Sequence, residues 1–146
     1  MAIVLFEEHK IIVEAAEHFL AAIKRTPRIP IEQLSPLRVR LSALIRQHRV
    51  TEEEHIFGPL MREGGYAKWP DLAPVVQELM REKAKYSEHI RKWTPQAIDQ
   101  NWRGYVIDCE KRVDVMKRLV HEEEARIYQP ILARNAAPMP VRAAAR

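Results

Sequence analysis

The segment RQHRVTEEEHIFGPLM, residues 46–61, decides the fold, because titratable side chains continue an apolar helical stripe there. The apolar residues that define this stripe lie upstream at helical spacing: Leu34, Leu37, Leu41, Leu44 and Ile45. His48, Glu52 and His55 continue it on the same face. A carboxylate that faces a protein core is costly unless it is paired or bound to a metal. The i,i+4 spacing of His48 and Glu52 puts a nitrogen and an oxygen one turn apart, within reach of a single cation.

Four amphipathic segments appear when the pattern is followed outward in both directions. They cover approximately residues 2–25, 35–63, 71–93 and 101–134. Breakers separate them: Pro27 and Pro30, Gly64–Gly65, and Thr94–Pro95. Ser35 followed by Pro36 predicts the start of the second helix, with serine as the N-cap. The pattern predicts an all-α, up-down-up-down four-helix bundle over residues 1–133, followed by a flexible basic tail over 134–146.

Composition excludes several classes of protein. The 146 residues are enough for one domain, and a single cysteine, Cys109, excludes a disulfide framework or a cysteine-rich zinc site. The net charge is +4, but Arg134, Arg142 and Arg146 lie in the acid-free tail, so no nucleic-acid-binding face is indicated. No apolar run is long enough for a membrane span, and the N-terminus does not resemble a signal peptide, so a cytoplasmic location is expected. No phosphate loop or nucleophile elbow occurs.

The other helices bring further titratable groups towards the same core. His9 lies inside the first stripe, whereas His18 falls on the opposite face. In the third segment, His89 lies at one edge of the stripe and Lys83 at the other. In the fourth segment, Glu124 falls within the stripe, Glu123 lies at its border and His121 lies off its centre. Tyr86 and Tyr128 are expected to be core aromatic residues.

The motifs FEEHKII, around His9, and RQHRVTEEEHIF, with His48 and Glu52 in H-x3-E spacing, resemble the hemerythrin-like (HHE cation-binding) family. The resemblance covers about residues 3–133. It implies a four-helix bundle around a non-haem di-iron site. It also implies ligands from all four helices: a histidine, H-x3-E, a second histidine, and a second H-x3-E. Carboxylates from the second and fourth helices would bridge the irons, and an open position would take dioxygen or nitric oxide.

The third and fourth helices depart from this family pattern. Lys83 stands where the family's third-helix histidine fits best, and the residue four after His121 is Ala125. Two registers place either Leu119 with Glu123 or Val120 with Glu124 at the last motif, and neither is H-x3-E. Glu52 and His55 also form the E-x-x-H pair of ferritin-like bundles, which lacks a second copy here. The candidate metal ligands are therefore His9, His48, Glu52, His55, His89, His121 and Glu124.

Three functions are compatible with this pattern. The first is a non-haem iron protein that binds or senses oxygen, nitric oxide or iron without turning over a substrate, with two irons, or one in a rearranged site. The second is a metal-free bundle derived from that family, acting as an interaction or regulatory module on a protein partner. The third is an oxidase or peroxidase-like di-iron enzyme. Neither nucleic acid nor a membrane is expected as a partner.

Overall fold

The structure, a computed structural model, describes residues 2–136 and is all-helical over that range, as predicted, with no strand. The long helices are α1 (Ala2–Ile23), α2 (Ile31–Glu52), α4 (Leu72–Lys92) and α6 (Trp102–Glu123). The short ones are α3 (Gly58–Arg62), α5 (Pro95–Gln100) and α7 (Gln129–Ala136), with a 3-10 turn at Gly65–Ala67. Two π-helical turns, Glu53–Phe57 and Glu124–Tyr128, follow α2 and α6 without a break.

Helix α1 forms because its buried side chains repeat every three or four residues. These are Leu5, His9, Ile12, Ala16, Phe19 and Ile23. His18 is exposed on the opposite face, as predicted. His9 therefore lies within the apolar stripe of this helix, as predicted.

Helix α2 begins at Ile31, four residues before the predicted N-cap, so the prediction for Ser35 was wrong. Leu34 is fully buried in the first turn, and this burial favours an earlier start. Pro36 consequently lies inside the helix. The carbonyl that loses its hydrogen bond to a Pro36 N–H is that of Glu32, an exposed residue that water can reach. The Ser35 hydroxyl donates to the carbonyl of Ile31 at 3.0 Å instead of capping a helix.

The two π-helical turns occupy equivalent places in the chain. A constant offset of 71 residues relates the two segments, pairing Glu52 with Glu123, Phe57 with Tyr128 and Pro59 with Pro130. Each proline follows its π-helical turn by two residues. A proline in a helix donates no hydrogen bond, and its ring crowds the carbonyl four residues earlier. A wider turn just before each proline relieves that crowding, and this explains why the helix adopts π geometry at both places.

The connection between α4 and α6 contains a helix that the sequence pattern did not predict. Thr94 caps α5 by accepting a hydrogen bond from the Ala97 N–H at 3.2 Å, and Pro95 occupies its first position. Asn101 caps α6 by accepting from the Gly104 N–H at 3.0 Å. The predicted start of the fourth helix near Asn101 is therefore confirmed.

Helix α1 packs against α2 and α6, and α4 packs against α6. Two apolar clusters form the core: one includes Leu5, Ile56, Leu79 and Ile127, and the other includes Phe19, Leu34, Trp93 and Tyr105. Helix α7 continues to Ala136, past the predicted domain boundary at 133. The rest of the predicted tail, 137–146, lies outside the described residues. Within the described part, none of the helices has the length and apolarity to cross a membrane.

Candidate metal centre

Four buried side chains from three helices meet inside the protein. They are His9 of α1, His48 and Glu52 of α2, and Glu123 of α6, and none of these residues is more than 7% exposed. Each offers one ligand atom, and these atoms all lie within 4.8 Å of one another. Nitrogen and oxygen donors at such separations could bind one metal ion.

Both imidazoles of this cluster are held by carboxylates on their outer side. Nδ1 of His9 lies 3.0 Å from Oε1 of Glu124, and Nδ1 of His48 lies 2.8 Å from Oε2 of Glu8. Glu8 also accepts a hydrogen bond from the Thr51 hydroxyl at 2.8 Å, which fixes the carboxylate. When each Nδ1–H donates outward, each Nε2 presents its lone pair to the cluster. Metal-binding histidines are oriented in this way.

The hydroxyl of Tyr128 lies within hydrogen-bond distance of all four ligand groups. It is 3.3 Å from Nε2 of His9, 3.3 Å from Nε2 of His48 and 3.0 Å from Oε2 of Glu123, and it donates to Oε1 of Glu52. The phenol therefore contacts all four groups of the cluster. Burial raises the pKa of Tyr128, so the free phenol keeps its proton. The four ligand groups and the phenol thus form one buried polar cluster, in which the ligand groups lie close enough together to hold a cation.

Burial and the surrounding charges shift the pKa values of the two carboxyl groups in opposite directions. Burial raises the pKa of Glu52, but hydrogen bonds with His48 and Glu123 and the ammonium of Lys83 outweigh it and lower the pKa overall. Lys83 Nζ lies 3.4 Å from Oε2 of Glu52. Burial raises the pKa of Glu123, and the adjacent Glu52 raises it further. Burial lowers the pKa of His48, but contacts with Glu52 and Glu8 raise it overall. Protons on these groups can thus supply positive charge in the metal-free cluster.

A cavity of about 110 Å³ adjoins the cluster. Residues of all four long helices line it, and the apolar ones include Ile12, Ile45, Tyr86 and Met116. Arg49, Glu82 and Arg112 add polar groups to the wall. The space is large enough for a small ligand beside the four donor atoms.

The remaining predicted ligands lie outside this cluster. His55 is partly buried in the first π-helical turn, and His121 is exposed on α6. Glu124 does not provide one of the four ligand atoms but orients His9 from behind.

His89 belongs to a second polar cluster on α4 and α6. Its Nδ1–H donates to Oδ2 of Asp108 at 2.7 Å, and Trp93 Nε1 donates to the same oxygen at 2.7 Å. Sγ of Cys109 lies 3.9 Å from Nε2 of His89. Burial raises the pKa of Cys109 to about 12, so its thiol is protonated. Burial lowers the pKa of His89, and the hydrogen bond to Asp108 offsets this only in part.

Sequence reasoning left open whether Glu123 or Glu124 faces the site, and the structure places Glu123 there. It treated Tyr128 as an apolar core residue and missed its hydroxyl. One signal could have found Glu123. The 71-residue offset that superposes the two glutamate-rich segments maps Glu52 onto Glu123 and places Tyr128 opposite Phe57.

Comparison with family models, curated proteins and solved structures finds no match for this chain. The case for a metal site therefore rests on the geometry of the cluster itself. A buried group of two histidines and two glutamates lies close enough together to hold a metal ion.

Proposed function

We propose that this chain is a hemerythrin-like, non-haem iron protein that binds or senses dioxygen, nitric oxide or iron. In this proposal α1, α2, α4 and α6 form the up-down-up-down bundle and His9, His48, Glu52 and Glu123 hold the iron. The observation that carries it is the convergence of four buried ligand atoms from α1, α2 and α6, all within 4.8 Å of one another. Imidazole nitrogens and carboxylate oxygens brought together in this way are the donors that hold non-haem iron in proteins.

The donor set fits iron. Imidazole and carboxylate ligands suit iron, manganese or zinc, whereas soft metals prefer thiolates. The one cysteine, Cys109, is buried in the second polar cluster beside His89. Bound iron would supply a reversible binding position for a diatomic ligand. This chain's own residues would fix the imidazoles through Glu8 and Glu124, and surround the ligand with the apolar wall of the cavity.

We further propose one iron per chain. Lys83 stands at the third-helix position where the family has a histidine, and Leu119 stands where the offset of 71 residues places the fourth-helix histidine. Two ligands of a second iron are therefore absent from those positions. The ammonium of Lys83 lies against Oε2 of Glu52, the oxygen that faces away from Tyr128. It supplies there the positive charge that a second iron would bring.

Metal analysis tests this proposal directly. Protein purified without chelator, then loaded anaerobically with ferrous iron, should hold one iron per chain by elemental analysis. His48→Ala and Glu52→Ala should each lose it, and His121→Ala, a change at an exposed histidine of α6, should keep it. Two irons per chain would contradict the role given to Lys83. A wild type that holds no iron after loading would contradict the whole proposal.

A second candidate function is a metal-free interaction module, and one observation favours it. The hydroxyl of Tyr128 and the ammonium of Lys83 already donate to both oxygens of Glu52. Under this function, added iron would raise the melting temperature of neither the wild type nor the Glu52→Ala variant. Iron binding to a folded chain would instead raise the melting temperature of the wild type alone.

A further inference from the structure

We propose that Tyr128 is a fifth ligand of the metal, bound through its phenolate oxygen. This inference rests on the proposed metal site and adds to it an oxygen donor that neither the H-x3-E motifs nor the group of histidines and glutamates contains. Tyr128 is fully buried and its ring stacks on His9, with ring centroids 5.2 Å apart. Its oxygen therefore has a fixed position beside the four other donors.

The distances within the cluster are those of atoms that share one metal. Donor atoms bound at about 2.0–2.2 Å and at right angles stand about 3 Å apart. The oxygen of Tyr128 is 3.0 Å from Oε2 of Glu123 and 3.3 Å from Nε2 of both His9 and His48. Nε2 of His9 is 3.4 Å from Oε2 of Glu123, and Nε2 of His48 is 3.3 Å from Oε1 of Glu52. The phenol oxygen is thus as near to the other donors as they are to one another.

The second π-helical turn is what puts Tyr128 into the site. Glu123 immediately precedes this turn and Tyr128 is its last residue. In a regular α-helix, residues five apart are rotated by about 140° and face different directions. The wider turn reduces that rotation, so that both side chains reach the same point, 3.0 Å apart. In the first π-helical turn Phe57 holds the equivalent position after Glu52, without a hydroxyl. Only one of the two related segments can therefore supply an oxygen.

Binding requires a defined change of bonds. The O–H bond of Tyr128 breaks, a metal–oxygen bond forms, and the proton leaves to the buffer. The hydrogen bond to Glu52 is lost at the same time, which frees Oε1 of that carboxylate for the metal. An anionic oxygen stabilises ferric iron more than ferrous iron, so the site should hold iron in the oxidised state more firmly with Tyr128 than without it.

Spectroscopy of ferric-loaded protein tests the assignment. Wild type, Tyr128→Phe and the control Tyr105→Phe are loaded with ferrous iron and oxidised with ferricyanide. Tyr105 is a suitable control because it is equally buried but lies in the other apolar cluster, against Trp93. We expect a visible phenolate-to-iron charge-transfer band, with tyrosine ring modes in resonance Raman, in wild type and Tyr105→Phe. Tyr128→Phe should retain iron through the other four ligands but lose the band.

A second measurement does not depend on iron redox chemistry or on the variant's stability. Gallium(III) added to wild type should produce the ultraviolet difference spectrum of one tyrosinate per bound metal and release the matching proton. Iron bound without the charge-transfer band, or a band that persists in Tyr128→Phe, would contradict the ligand assignment alone. A wild type that binds neither metal would contradict the proposed function, and the ligand assignment with it.

Discussion

Glu52→Gln and Glu123→Gln are the same chemical change at two buried positions, yet the structure predicts different costs. The pKa of Glu52 is lowered by its partners, so its carboxylate is charged in the metal-free protein. Glutamine keeps the shape but removes the charge that faces His48 and Lys83, at 3.3 and 3.4 Å. Breaking a buried ion pair costs about 3–5 kcal/mol. Because the Lys83 side chain is 25% exposed and partly screened, the lower end of that range applies, about 3 kcal/mol.

The pKa of Glu123 is shifted in the opposite direction to that of Glu52. Burial raises its pKa, which favours a protonated carboxyl group, and an amide resembles that group in shape and in charge. Glu123→Gln should therefore change the free energy of unfolding by less than about 1 kcal/mol. The assay is urea unfolding of both variants in chelator near neutral pH, followed by circular dichroism, with the slope m compared to exclude changes in the unfolded state. Equal losses, or a larger loss for Glu123→Gln, would refute this account of the charges.

Three further outcomes are expected from other contacts. Lys83→Met should lower the free energy of unfolding of the metal-free protein by about 3 kcal/mol in urea, because it leaves the buried Glu52 carboxylate without its ammonium partner. Glu8→Ala should weaken iron binding by about 10–100-fold in a chelator competition, because His48 loses the carboxylate that orients it; unchanged affinity would contradict the orientation argument. Burial lowers the pKa of His89 below its ordinary value of 6.5. Between pH 6.5 and this lowered pKa, acidification protonates His89 in the unfolded chain but not in the folded protein, so it destabilises the fold. The stability advantage of wild type over His89→Asn should shrink there by up to about 1.4 kcal/mol per pH unit, and a constant difference in pH-dependent melting would contradict it.

The all-helical structure was predictable from apolar periodicity, and the position of His9 inside the stripe of α1 followed from the same spacing. The choice between Glu123 and Glu124 did not follow from this spacing. The interpretation that Glu124 lies within the stripe of the fourth segment and Glu123 at its border assumes a regular helix as far as Tyr128. The π-helical turn Glu124–Tyr128 rotates the downstream residues, so the apolar residues on its two sides do not share one register.

Other parts of the site depend on contacts that no local pattern encodes. The carboxylate of Glu8 meets His48 across 40 positions of sequence, and Glu124 meets His9 across 115. Helical spacing says which face a side chain occupies, but not which atom of a distant ring it reaches. The hydroxyl of Tyr128 was hidden for a related reason, because an aromatic residue at an apolar position is equally suited to packing and to donating an oxygen.

The carboxylates behind the two imidazoles have a thermodynamic consequence. Glu8 and Glu124 hold the rings of His48 and His9 in place without any contribution from a metal. Arrival of an ion would then order few side chains, so little of the binding free energy would be spent on conformational entropy. In zinc fingers, by contrast, loss of the ion unfolds the chain. Here the empty and filled states would share one backbone, and occupancy could follow the free concentration of the ion without a cycle of unfolding and refolding.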